Sequence, residues 1–215
     1  MSKKYENLKP LEAKTENQKN YIHALNEKDI ILVQGGAGVG KTMVTIGIAC
    51  EWLSKQRVEK IVICRSSFQT SKTCGYSPGS YKEKSLDHFK QQSAYFEYFI
   101  GKSKFLELWK SGVIELSMVE TIRGLSYNNT FMILEECQEC LADDILLFQS
   151  RMGEGSTAVF LGDVEQSKHN NCPFERIFKE LDDEDIAKIK FTSFDVLRHK
   201  KMRKIFDKMK RIIDG

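Results

Sequence analysis

The sequence predicts an α/β fold with a mainly parallel sheet, on three observations. Short β-branched runs alternate with segments of helical spacing. A glycine-rich loop, Gly35 to Thr42, lies between the first such run and the first strongly apolar helix. The composition, 41% hydrophobic and 29% charged, is that of a soluble globular chain and excludes a mainly disordered one. At 215 residues the chain can bury a full core without a disulfide or metal staple, and a single domain over residues 1–215 is expected.

The elements follow in order. A helix over about residues 12–28 leads into a buried strand, Asp29 to Gln34. Thr42 to Lys55 has helical spacing, and Lys60 to Cys64 reads as a second strand. The polar-aromatic segment Tyr81 to Trp109 is read as two helices broken near Gly101. Further strands are expected at Val113–Ser117, Thr130–Leu134, Ala158–Leu161 and Ile189–Thr192, with helices at Ala142–Arg151 and Pro173–Leu181. A basic amphipathic helix over about residues 199–213 closes the chain.

Composition narrows the function classes. The N-terminal residues lack the apolar core of a signal peptide, and no run approaches the 18 apolar residues of a membrane span. No membrane partner and a cytoplasmic location are therefore expected. The six cysteines read as reduced thiols. Cys137 and Cys140 have zinc-knuckle spacing but no second ligand pair, so half-buried structural cysteines are the expectation there. A net charge of +3 is too small to declare a nucleic-acid binder. Charge placement points further: from Arg198 to Arg211 eight basic residues face one acid, Asp207. That helix suits either a docked amphipathic element with solvated lysines or a phosphate-neutralising face for RNA or DNA.

The strongest signal is Gly35-Gly36-Ala37-Gly38-Val39-Gly40-Lys41-Thr42, which fits the phosphate-binding pattern G-x-x-x-x-G-K-[ST]. The glycines let successive amides point into one anion-sized hollow, Lys41 is placed for the β- and γ-phosphates, and Thr42 offers a hydroxyl to Mg²⁺. The following helix adds its N-terminal dipole. Such chemistry also needs acids at the end of a neighbouring strand, a role that suits Glu135 and Glu136: one for the magnesium shell, one to orient water. Asp163 and Gln166 after another strand read as a γ-phosphate sensor or as an exposed turn. Gln18 reads as a bidentate contact to adenine or as the N3 residue of a capping box begun by Thr15.

Gln18, the glycine-rich loop, Ile61 to Arg65, Gly75 to Gly79, Arg123-Gly124, Ile133 to Gln138, Gly162-Asp163-x-x-Gln166 and Leu197-Arg198-His199 occur in the order seen in PhoH-like P-loop ATPases, which the chain resembles over about residues 12–212. The resemblance implies a three-layer RecA-like core akin to one half of a superfamily 1 helicase. It implies ATP and Mg²⁺ as ligands, Gln18 at adenine, Gln166 as γ-phosphate sensor and Arg198 as an arginine finger. It further implies a hexameric ring, and RNA or single-stranded DNA as a partner near Arg65–Phe68, Tyr76–Tyr81 and Arg123. Where the family reads Asp-Glu-Ala-Gln, this chain has Glu135-Glu136-Cys137-Gln138, and Glu135 extends its carboxylate by one methylene, about 1.5 Å. Magnesium demands tight octahedral geometry, so the longer arm bears on turnover.

Three functions therefore stand. An ATP hydrolase uses Lys41, Glu136, Gln166 and Arg198, with Mg²⁺ on Thr42 and Glu135. A nucleotide-gated oligomer binds ATP with little turnover. A small-molecule kinase also uses such a loop, but the paired glutamates and the Gly162-Asp163-x-x-Gln166 segment argue against it.

Overall fold

The computed structural model describes residues 8–66, 88–167 and 172–196, with residues 208, 209 and 212. Within them a six-stranded sheet, parallel in every pairing, carries helices on both faces. The strands are β1 (Ile30–Gln34), β2 (Lys60–Arg65), β3 (Ile114–Met118), β4 (Thr130–Leu134), β5 (Thr157–Gly162) and β6 (Ile186–Lys190), in spatial order β3-β2-β4-β5-β1-β6.

The β-branched runs become central strands because both faces are buried, leaving no polar side for alternation to mark. Successive residues point to two separate cores. Ile31, Val33, Ile61, Ile63, Phe131, Ile133, Val159 and Leu161 enter one. Leu32, Val62, Met132, Leu134, Ala158 and Phe160 enter the other. The first face is covered by α1 (Glu16–Glu27), α2 (Lys41–Ser54), α3 (Lys90–Ile100) and α4 (Lys102–Lys110). The second is covered by the 3₁₀ turn Val119–Ile122, α5 (Ala142–Gln149) and α6 (Pro173–Glu180).

The helix after β1 thus lies on one face and the helix after β5 on the other. Between these neighbouring strands, at their C-terminal ends, the sheet opens a crevice where α/β folds take their ligands.

Several expectations shift. The N-terminal helix starts at Glu16 rather than near residue 12, because Thr15 is its N-cap and accepts from the Gln18 amide at 3.2 Å. The last strand ends at Lys190, not Thr192. Thr192 instead caps a 3₁₀ turn, Ser193–Asp195, and its hydroxyl accepts from Phe194 N at 3.2 Å. The break at Gly101 is present, where φ is +80° between α3 and α4. Cys137 and Cys140 are fully buried rather than half-buried, since the turn holding them packs under α6. Of the expected helix over 199–213, only residues 208, 209 and 212 are described, all helical.

Candidate functional site

The loop between β1 and α2 is held from below and from the side. Gly35 N donates to Gly162 O at 3.1 Å, tying the loop to the end of β5. Gly38 and Gly40 take φ of +84° and +93°, which turns the chain back on itself so that α2 opens toward the crevice. On the α1 side, Gln18 Nε2 donates to Val39 O at 2.8 Å while its Oε1 accepts from Lys14 N at 2.7 Å. Both ends of this amide are thus engaged within the protein, and Gln18 is 2% exposed.

Lys41 Nζ bonds the carbonyls of Gly35 and, at 3.1 Å, Gly36. Burial pushes its ammonium below the ordinary lysine value, and the charges of Asp163, Glu136 and Glu135 oppose that shift. Thr42 Oγ1 donates to Glu135 Oε2 at 3.2 Å. Glu135, at the end of β4, is buried. Desolvation, with the Glu136 charge second, raises its carboxyl to about 7. Asp163 is also raised by burial, which the Lys41 charge partly offsets.

Glu136 stands in the left-handed region at φ +56°. Its Oε2 accepts from Gln138 Nε2 at 2.6 Å, and Arg65 Nη2 approaches Oε1 at 3.9 Å. These groups surround a cavity of about 380 Å³ lined by Gly36, Lys41, Thr42, Glu135, Glu136 and Gln166. Its floor is β1, β4 and β5 at their C-terminal ends, with β5 lying between the loop strand and the acid strand.

A magnesium site can be tested against this donor set. Glu135 Oε1 is buried and has no hydrogen-bond partner among the described residues. With the Thr42 hydroxyl it supplies the hard oxygen chemistry that Mg²⁺ takes. The residues fit the ion, and the amides of the glycine loop fit a polyphosphate.

Comparison with known proteins decides the family. Residues 10–210 match the profile described as PhoH-like protein. The chain belongs to the PhoH-like family. It is 30% identical over 205 residues to the PhoH-like protein of Mycobacterium bovis, covering 93% of this chain and 58% of that protein. The corresponding values for the Bacillus subtilis PhoH-like protein are 27%, 93% and 64%. Protein PhoH of Escherichia coli K12 is 30% identical over 160 residues, 73% of this chain and 45% of the relative. This PhoH-family chain therefore spans less than two thirds of the length of these relatives. In fold it is similar to the large terminase of the thermophilic bacteriophage D6E, with a TM-score of 0.56 at 13% identity, over 91% of this chain and 49% of that one. The same terminase solved in complex with ADP gives a TM-score of 0.52 at 12% identity, over 91% of this chain and 50% of that one. The architecture of this PhoH-like chain is thus that of a P-loop NTPase domain.

Of the residues singled out from sequence, Gly36, Ala37, Gly38, Gly40, Lys41, Thr42, Glu135, Glu136 and Gln166 line one cavity. Gly35 lies beneath Phe191, Val39 points into the core at 1% exposure, and Gln18 grips the loop from behind. Arg198, Phe68, Gly75–Gly79 and Tyr76–Tyr81 lie outside the described residues. Sequence reasoning missed Met43, Gln91 and Tyr95 on the cavity rim, and the bridging role of Gln138. Gln91 and Tyr95 sit one helical turn apart at the start of α3, in a segment whose composition gave no functional signal. Gln138 stood in a quoted motif, but one of its two side-chain partners, the Asp163 amide, comes from another loop. No helix of the described residues is long and apolar enough to cross a membrane.

Proposed function

We propose that this PhoH-like chain hydrolyses ATP with Mg²⁺ and couples that reaction to binding or remodelling RNA or single-stranded DNA. The observation that carries the reading is the convergence of Lys41, Thr42, Glu135, Glu136 and Gln166 on one cavity from three different strand ends. Lys41 leaves the Gly35 and Gly36 carbonyls to neutralise the β- and γ-phosphates. Thr42 and Glu135 would hold the ion, which when bound would supply charge neutralisation at the phosphates. Glu136 accepts from and orients the attacking water, and Gln166 meets the γ-phosphate.

Among the described residues lining the cavity, Lys41 is the one cation against Glu135, Glu136 and Asp163. The charge developing on the transferred phosphoryl group calls for a further donor. Arg198, from the same or a neighbouring subunit of a homo-oligomeric ring, is our candidate. The loop around Arg123, exposed after the Val119–Ile122 turn, and the basic C-terminal segment are candidates for the nucleic-acid face.

Phosphate release from ATP tests this, with and without Mg²⁺ and with single-stranded RNA or DNA. Mg²⁺-dependent release that Lys41→Ala and Glu136→Gln both abolish, and that one nucleic acid stimulates, is the expected result. Release insensitive to Glu136→Gln would overturn the mechanism. A second reading, a nucleotide-gated oligomer with slow turnover, is favoured by the engagement of Glu135 with Thr42, and tight ATP binding without release would select it.

A further inference from the structure

Gln138 joins two loops that the sequence keeps 25 residues apart. It lies in the 3₁₀ turn Cys137–Glu139 directly after Glu136 and is 2% exposed. Its side-chain Nε2 donates to Glu136 Oε2 at 2.6 Å, and its Oε1 accepts the backbone N–H of Asp163 at 2.8 Å. Its own carbonyl accepts from Ser167 Oγ at 3.3 Å and from Cys172 Sγ at 3.8 Å. The turn Val164–Gln166 is thus bracketed by two contacts to a single residue.

The chemistry leaves no freedom in how this amide is oriented. A carboxylate only accepts and a backbone N–H only donates, so the amide nitrogen must face Glu136 and the oxygen must face Asp163. Glutamate would set a second carboxylate against Glu136, and asparagine is one methylene short. Glu136 needs such a hold. Its backbone sits in the left-handed region, which non-glycine residues keep only when their surroundings impose it. The Arg65 guanidinium, at 3.9 Å, is too far for a short hydrogen bond.

We infer that Gln138 is a positioning residue that couples the turn carrying Asp163 and Gln166 to the carboxylate of Glu136. The inference rests on the proposed hydrolysis for its catalytic consequence. When Gln166 engages a γ-phosphate, any shift of that turn moves the Asp163 amide. The amide of Gln138, pinned at both ends, carries the shift to the carboxylate that orients water. The residue touches neither substrate nor ion, so it acts on turnover rather than on nucleotide affinity.

The test compares wild type with Gln138→Met, which removes both bonds at similar volume, and Gln138→Glu, which keeps the acceptor for Asp163 but repels Glu136. Expected are kcat values reduced tenfold or more, with Gln138→Glu the lower, while KM and the dissociation constant for ATPγS move less than threefold. Amide hydrogen exchange supplies a readout free of turnover. In wild type, ATPγS raises protection in the 163–166 turn and in residues 135–138 together; in Gln138→Met the two segments respond separately. A wild type that releases no phosphate would remove the hydrolysis reading, and the exchange experiment would still decide the coupling. Unchanged kcat in Gln138→Met, or KM rising as kcat falls, would overturn the positioning role. So would exchange in which the two segments never respond together.

Discussion

The Thr42 hydroxyl donates to Glu135 Oε2 at 3.2 Å, bridging the start of α2 and the end of β4 across the intervening strand β5. The bond leaves Glu135 Oε1 buried without a partner among the described residues. Desolvation, with the Glu136 charge second, raises this carboxyl from 4.5 to about 7, and the Thr42 hydrogen bond opposes the shift.

Stability should report this. In the unfolded chain Glu135 ionises near 4.5, while in the folded one it holds its proton to about 7. The folded state therefore binds more protons between these values, and its stability falls as pH rises through that window. Denaturant unfolding of the Mg²⁺-free, nucleotide-free protein should show wild type losing about 3 kcal/mol relative to Glu135→Gln between pH 4.5 and pH 8. A constant difference between the two proteins across that range would place the Glu135 ionisation at its ordinary value.

Gly40→Ala should damage the loop twice. The φ of +93° is strained for any side chain, and a Cβ there would lie 2.7 Å from Gln18 Nε2, the atom that donates to Val39 O. We expect a loss of about 1–3 kcal/mol in unfolding free energy and nucleotide binding weakened at least tenfold in equilibrium titration. Adding Gln18→Ala relieves the steric part but not the φ strain, so the double variant should be less destabilised than the sum of the singles.

What the sequence made legible was local. Gly35 to Thr42 and Glu135-Glu136 announce themselves because spacing along the chain dictates their chemistry, and all but Gly35 and Val39 of these reach the same cavity. The mainly parallel sheet was legible from the alternation of β-branched runs with helical segments. The end of β6 was not. Phe191 and Thr192 look like strand residues, and Phe191 N still donates to Gln34 O at 2.8 Å, yet Thr192 is spent on the following turn. Gln18 shows the limit of pattern reading. Thr15 caps the helix as the pattern suggests, but the Gln18 amide goes to Val39 and to Lys14, a pairing set by the approach of α1 to the loop. Gln91, Tyr95 and Gln138 acquire their places through packing between distant segments, for which one sequence carries no mark.

Tyr21 and Thr45 form a directed pair behind the loop. Thr45 Oγ1 donates to Lys41 O at 2.7 Å, so its single proton is used, and the Tyr21 hydroxyl must donate to it at 2.6 Å. Tyr21 is fully buried. Thr45→Val therefore strands a buried hydroxyl and should cost about 1–3 kcal/mol, whereas Tyr21→Phe removes the donor itself and should cost about 1 kcal/mol. Thermal or denaturant unfolding of the double variant should match Tyr21→Phe more closely than the sum, because the stranded group is then gone.

Gly162 ends β5 where α6 crosses beneath it. A Cβ there would lie 2.4 Å from Phe174 Cε1 and 2.6 Å from Cδ1, and Phe174 is fully buried with no room to withdraw. The same residue accepts the Gly35 amide and precedes Asp163, so displacement of β5 reaches both the glycine-rich loop and the 163–166 turn. Gly162→Ala should be destabilised by about 1–3 kcal/mol through overpacking, with ATP affinity reduced as well. Phe174→Leu in the same chain opens the space, and recovery of nucleotide affinity in that double variant is the expected result. Affinity that stays low after the clash is relieved would mean that Gly162 serves the site through its backbone rather than through its missing side chain.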